Sequence, residues 1–311
     1  MTFPTKKHMT ALLWIALFFV AFENKAQQTE QDTTDLLSLL GPDELTLDYT
    51  IATFKSTRII NMHSTENPAA GALDFRISHR FGTLNSGAQE LWGLDQAYMR
   101  LGFEYGATDR LMVGVGRSNV NKEIDGFFKF KILRQSLGTR NMPVTVSLFS
   151  SLVIRTTPWS EPDRDNFFTS RLFYCHQLLI ARKFNEALSL QIAPTLVHRN
   201  LVPDNTIKHD VLALGMGGRY KLTTRTSLNV EYVWVKPNQL ESQYKNSLSL
   251  GFDIETGGHV FQLHLTNSKP MNEKGFITET TGEWGKGDIQ FGFNVSRMFT
   301  VRRSRTEPYT Y

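Results

Sequence analysis

Leu248-Ser-Leu-Gly-Phe-Asp-Ile-Glu-Thr-Gly-Gly-His-Val-Phe-Gln-Leu-His-Leu265 carries the pattern on which the fold turns. Leu248, Leu250, Phe252 and Ile254 alternate with Ser249, Gly251 and Asp253. After Thr256-Gly257-Gly258, Phe261, Leu263 and Leu265 alternate with Gln262 and His264. A period of two places the apolar side chains on one face of a strand and the polar ones on the other. The glycine pair between the limbs marks a tight turn.

The same pattern recurs outward from this hairpin, starting near residue 70. Its apolar phases begin at Leu73, Met99, Leu111, Phe128, Val144, Phe168, Leu188, Leu212, Leu228, Leu248, Phe261 and Ile289. That makes twelve segments, each able to span a bilayer when tilted, which takes about 9–11 residues. Twelve is even, as single-chain bacterial barrels require. The connections alternate as well. Stretches 83–96, 119–124, 156–166, 200–208, 237–245 and 268–286 are long, whereas 106–109, 184–186, 222–224 and 256–258 are short and only 135–142 exceeds its class. Long external loops and short periplasmic turns are the habit of outer-membrane barrels. A soluble sandwich, with strands averaging about 5–6 residues, has no need of that alternation. Aromatics near strand ends, among them Trp92, Tyr98, Tyr105, Tyr220, Trp234 and Phe299, suit interfacial girdles. The expected fold is therefore all-β: one transmembrane antiparallel up-and-down barrel of about 12 strands over residues 70–302, with both termini in the periplasm.

The first 26 residues read as a signal peptide. Lys6, Lys7 and His8 precede the apolar run Met9 to Phe22, and Ala26 is a small residue at the expected cleavage point. The run is too short for a typical helical span. After cleavage, 31 basic residues face 29 acidic ones, with no basic run before Arg302-Arg303, so nucleic acid is not an expected partner. The expected location is the outer membrane, with lipid as the surrounding partner. Residues 27–69 form an N-terminal periplasmic or lumenal segment, and 303–311 a periplasmic tail. Within the former, Leu45 to Ile60 looks like a strand but would break the even count, so it is read as periplasmic or folded into the lumen.

Phe54-Lys-Ser-Thr-Arg-Ile-Ile-Asn61 with His63 and Glu66, Leu73-Asp-Phe-Arg-Ile-Ser-His-Arg-Phe-Gly82, Gly93-Leu-Asp-Gln96, Thr108-Asp-Arg-Leu-Met-Val-Gly-Val-Gly-Arg117 and Asn272-Glu-Lys-Gly-Phe-Ile-Thr-Glu-Thr280 together resemble a Gram-negative family of exported β-barrel proteins catalogued as a domain of unknown function. The likeness covers about residues 48–300. It implies the barrel and supplies no activity.

Motifs for chemistry are sparse. The single Cys175 cannot form an internal disulfide, the histidines show no close metal-ligand pairing, and no Cys-x-x-Cys-His is present, so no metal or cofactor is expected. Gly114-Val-Gly116 and Gly215-Met-Gly-Gly218 lack the strand-to-helix context and Lys-Ser/Thr ending of phosphate loops. They fit bends or close backbone approach on strands. Ser160 sits near acids but has no histidine assignable to it, which leaves an outer-membrane lipid hydrolase as the third functional reading.

Facing the apolar phase to lipid turns Arg76, Arg80, Arg100, Lys129, Lys131, Arg155, Arg171, Arg199 and Arg219 inward, with Asp74, Glu104, Glu231, Asp253 and Glu255. These are the candidate pore-lining residues. Bases outnumber acids, and three of the five acids gather on the ninth and tenth segments. Such a wall suits a passive channel for small, anionic solutes. Charges that pair across and plug a narrow lumen suit the alternative, a non-conducting barrel that anchors or scaffolds partners. The phase also sets an expectation for substitutions: Arg at Leu250 costs about 2–4 kcal/mol near the bilayer midplane, and Arg at Ser249 much less.

Overall fold

The computed structural model describes residues 46–302 apart from 160, 205 and 257. The signal peptide expected over 1–26, the tail over 303–311 and Ser160 lie outside the described residues. Twelve strands close an antiparallel barrel: β2 (Ala72–Thr83), β3 (Ala97–Gly106), β4 (Leu111–Ser118), β5 (Glu123–Leu133), β7 (Thr145–Arg155), β8 (Leu172–Lys183), β9 (Leu188–Arg199), β10 (Asp210–Lys221), β11 (Thr226–Val235), β12 (Ser247–Thr256), β13 (His259–Thr266) and β14 (Gln290–Thr300). Each pairs with its neighbour in sequence, and β14 closes on β2. All twelve alternating segments of the sequence are strands of this barrel. Closure leaves the barrel no open edge, so every strand's backbone groups can pair within the wall, as a hydrocarbon environment demands. No helix among the described residues is long and apolar enough to cross a membrane.

Side-chain facing follows the pleat. Phe128, Phe130, Leu250, Phe252 and Leu263 are exposed on the outer wall, while Lys129, Gln191, Ser249, Asp253, Gln262 and Gln290 are buried on the inner one. The register across β12 and β13 sets Leu250 opposite Leu265 and Phe252 opposite Leu263, which keeps one phase in lipid across strand boundaries.

Two short strands stand apart. β1 (Leu47–Tyr49) pairs with β6 (Ser136–Gly138) in an exposed ribbon at the end of the barrel that carries the short turns. This explains why 135–142 is longer than a simple turn: it supplies the partner for β1. The chain then enters the barrel. Thr53, Phe54 and Ser56 to Thr65 are buried, and Arg58 bridges His63 across a tight hairpin closed by Ile59 N–H to Met62 O at 2.8 Å. From the opposite end, the β13–β14 connection sends in a one-and-a-half-turn helix, α1 (Glu273–Thr278), capped by the Asn272 side chain and buried along its whole length. Hairpin and helix fill the lumen.

This filling overturns the expectation for Ser249. Its hydroxyl receives a hydrogen bond from Asn61 of the hairpin (2.9 Å) and donates to Thr266 (2.8 Å), with no exposed surface. An arginine there meets packed chain and not water. Leu250→Arg is expected to lose about 2–4 kcal/mol from the lipid side, and Ser249→Arg at least about 1–3 kcal/mol from overpacking. Unfolding titrations in lipid vesicles measure both; a Ser249→Arg protein as stable as wild type would mean that the lumen is open at that level.

Candidate functional site

The inner wall is built to hold the hairpin. Glu231 on β11 reaches its tip and accepts from the backbone N–H groups of Ile60, Asn61 and Met62 at 2.9–3.1 Å. On β2, Arg76 donates to Ser56 and Thr57, and Arg80 donates to the Asn61 side chain at 2.8 Å. From β5, Lys129 donates to the carbonyls of Thr57, Ser64 and Glu66. The side-chain amides of Gln191, Gln262 and Asn294 donate to the carbonyls of His63, Ile59 and Ile60 at 2.7, 2.8 and 3.0 Å. Arg219 donates to Ala52 and Thr53. Glu104 pairs with Thr57 and Arg58, and Lys55 pairs with Glu255. A hairpin has its own unpaired backbone groups on both edges, and each buried one costs about 1–3 kcal/mol if left so; the wall answers them strand by strand.

Gly215 and Gly217 of β10 make room for it. A Cβ at Gly217 would stand 2.3 Å from the Ile59 Cδ1, and one at Gly215 2.5 Å from the Met62 Cε. The sequence marked these glycines only as places of close approach; the partner that approaches is the hairpin.

The helix α1 is held differently. Phe276 and Ile277 pack with Phe149, Cys175, Leu179, Ala193, Val197, Val211, Ala213 and Val233, an apolar sector of the inner wall spread over β7 to β11. Around it, Lys274 pairs with Glu123 (2.7 Å) and Glu279 (2.6 Å). Glu273 pairs with Arg58 of the hairpin at 2.8 Å, so the two fillings touch near the middle of the barrel. The His63 ring packs at a tilt between Phe127 and Phe149, and its Nε2 lies 3.4 Å from Glu273.

Each predicted charged residue can now be placed. Asp74, Arg76, Arg80, Arg100, Glu104, Lys129, Glu231 and Asp253 are buried on the inner face. Lys131, Arg219 and Glu255 ring the short-turn end, where Lys131 approaches Glu66 at 3.9 Å. Arg155, Arg171 and Arg199 stand at the long-loop end. The sequence reading missed Glu123 and Asp125, which are inward on β5; Asp125 pairs with Arg100, and Glu123 with Lys274. Their alternation with Ile124 continues the Phe128 phase and was legible. Glu273, Lys274 and Glu279 carried no strand pattern to reveal them. Glu123 and Asp125 add negative charge to β5, on the side of the wall that carries the predicted bases.

Beyond α1 the barrel opens into a vestibule of about 560 Å³ walled by the long loops. A small cavity of about 80 Å³ beside Glu66, Lys131 and Arg134 marks the other end. Outside the barrel, Ser150 and His176 form a cross-strand hydrogen bond at 2.9 Å on the lipid side. Ser150 is the sixth of eleven residues of β7, close to the barrel's waist and remote from lipid ester groups at the interface. Among the described residues no third group is hydrogen-bonded to that imidazole, and the pair reads as two polar groups that satisfy each other in hydrocarbon.

The matched region spans the wall and both fillings. The chain belongs to the family described as the membrane bound beta barrel domain (DUF5777), matched over residues 54–299. The match starts at Phe54, inside the buried segment, so the filling is part of the family's domain and not an appendage to it. The protein is a barrel of the outer membrane. No curated protein matches the sequence. Among solved structures, the chain is similar to a KdgM porin at 11% identity, covering 73% of this chain and 99% of that one with a TM-score of 0.45. It is similar to the COG4313 outer membrane channel from Pseudomonas putida F1 at 12% identity, 76% and 97% coverage and a TM-score of 0.47. A Rhodopseudomonas blastica porin variant aligns at 12% identity, 65% and 55% coverage and a TM-score of 0.31.

The site predicts a pH dependence. Burial, then the nearby Arg58, Lys129, Arg100 and Arg76, hold the His63 imidazole well below its ordinary value, so it is neutral when docked. An undocked His63 takes up a proton near pH 6.5. Docking is therefore favoured above that pH and loses stability as pH falls through it. Glu273 has the opposite sign: burial raises its carboxyl, Arg58 and Arg100 opposing, so acid relieves its cost. Proteolysis of the hairpin should increase from pH 7.5 to 6 in wild type and respond less in His63→Gln. Identical pH profiles for the two proteins would exclude this role of His63.

Proposed function

We propose that the protein is an outer-membrane channel for small solutes, held closed by residues 50–68 in its lumen, and that solutes pass when this segment is displaced. The observation that carries the reading is the polarity of the wall behind the hairpin. Arg76, Arg80, Lys129, Glu104, Glu231, Gln191, Gln262 and Asn294 hold it by hydrogen bonds, and every one of these groups can exchange its partner for water. A wall built only to anchor a filling needs no such water-compatible surface; an apolar interior would hold it as firmly. The segment is tied to the barrel wall by its own chain at one end and by the β1–β6 ribbon at the other. Its release thus breaks no barrel ladder.

A static, non-conducting anchor is the second reading, and the apolar seat of Phe276 and Ile277 favours it, because exposing that sector to water is costly. Single-channel recording on wild type and on protein lacking the hairpin separates the two readings.

A further inference from the structure

The vestibule at the long-loop end has a composition that the channel reading does not require. Four guanidiniums line it, from Arg155, Arg164, Arg171 and Arg199, along with the carboxylates of Glu161, Glu241 and Glu279. Two of the arginines are spoken for: Arg155 pairs with Glu279, and Arg199 with Glu241 at 3.2 Å. Arg171 has no carboxylate partner among the described residues. It donates to the carbonyls of Arg155 (3.0 Å) and Thr157, and its guanidinium lies over the Trp159 ring at 3.8 Å. Arg164 stands on the exposed rim. After pairing, two cations and one acid, Glu161, remain among the described residues that line the cavity. Between them the cavity is walled by flat or branched apolar surface from Pro158, Trp159, Phe173, Leu201, Val202 and Pro203.

We infer that this vestibule is a binding site for a small organic anion with a flat apolar body, its carboxylate on Arg171 and Arg164 and its body against Trp159. A volume of about 560 Å³ lies within the range of about 300–1,000 Å³ that small-molecule sites occupy. A guanidinium already laid on an indole is preorganised: its planar fork stays in one orientation, and part of its hydration is already removed. Arg171 is further fixed by two backbone carbonyls, so little side-chain freedom is lost when an anion binds. The site deepens the channel reading, since it names the class of solute that meets the closed lumen first, and it rests on that reading only for the solute's onward passage.

The test uses full-length protein in detergent and 2-naphthoate as probe, with 2-naphthylmethanol as its uncharged counterpart. Binding is read by quenching of tryptophan fluorescence, with Trp159→Phe to assign the signal. The acid should bind saturably and at least tenfold more tightly than the alcohol. Arg171→Gln should weaken the acid at least tenfold and Arg164→Gln about threefold, with little change for the alcohol. Heat-modifiable gel mobility reports whether each variant remains a folded barrel. Should Arg171→Gln not fold, Arg164→Gln decides, because the Arg164 side chain is exposed on the rim and makes no hydrogen bond or ion pair among the described residues. Equal binding of acid and alcohol, or wild-type affinity in Arg164→Gln, overturns the inference. Because binding is read without current, a protein that binds but never conducts drops the channel alone. One that conducts when the hairpin is removed yet binds no naphthoate drops the vestibule site alone.

Discussion

In planar bilayers the wild-type protein is expected to stay near baseline current, and a mature chain begun at residue 68 to conduct in discrete steps. The truncation removes β1 and the hairpin but leaves every wall strand from β2 to β14 intact. It bares the polar sector that now binds the hairpin: Arg76 and Arg80 on β2, Glu104 on β3, Lys129 on β5, Glu231 on β11 and Gln262 on β13. These groups hydrate, so the truncated barrel keeps its fold, which heat-modifiable mobility checks. The helix α1 still occupies the β7–β11 side, so replacing residues 270–281 as well should raise the step size further. The residual selectivity should be weak and should fade with salt, as fixed wall charges are screened over about 10 Å at 0.1 M. Two folded truncations that both remain silent would retire the channel in favour of the anchor.

Glu231→Ala should release the hairpin without any deletion. One carboxylate closes three buried amides, those of Ile60, Asn61 and Met62. Its removal leaves all three unpaired at the hairpin's tip, and at about 1–3 kcal/mol for each such group the expected loss of docking is about 3 kcal/mol or more. Glu231→Gln keeps one acceptor oxygen at the same place but gives up the charge, and should lose roughly half as much. Hydrogen exchange of residues 56–65 reads this directly: protection should fall about a hundredfold or more in the alanine variant, with the amides of β2 and β11 unchanged. Protection in Glu231→Ala equal to that in wild type would mean that the hairpin is held by its apolar contacts, Ile59 and Met62 on β10, and not by its hydrogen bonds.

The two fillings were legible to different degrees. Leu45 to Ile60 declared itself by exclusion, because a further spanning strand would have broken both the even count and the loop alternation. The same stretch could not say where it went. Its polar and apolar side chains, Thr57, Arg58, Ile59 and Ile60, fit a lumenal wall or an aqueous compartment equally well on composition alone. The helix α1 was invisible, since its six residues are too few for a periodic signal, and it reads as part of a long loop. The excess of inward bases narrows once β5 is extended back by its own phase, which brings in Asp125 and Glu123, the partners of Arg100 and Lys274.

What the sequence determined by itself is the wall. A period of two is a local property, readable strand by strand, and in a barrel it fixes strand number, facing and the alternation of turns and loops, because each neighbour in sequence is also the neighbour in space. The tertiary structure alone decided what stands inside. Contacts such as Glu231 with Asn61, Arg80 with Asn61, and Arg58 with Glu273 join positions 170, 19 and 215 residues apart. No local pattern encodes that Gly217 leaves space for Ile59. Those pairings exist because a closed barrel brings its inner faces within reach of one segment at once, and burial then favours hydrogen bonds between the polar groups that meet there.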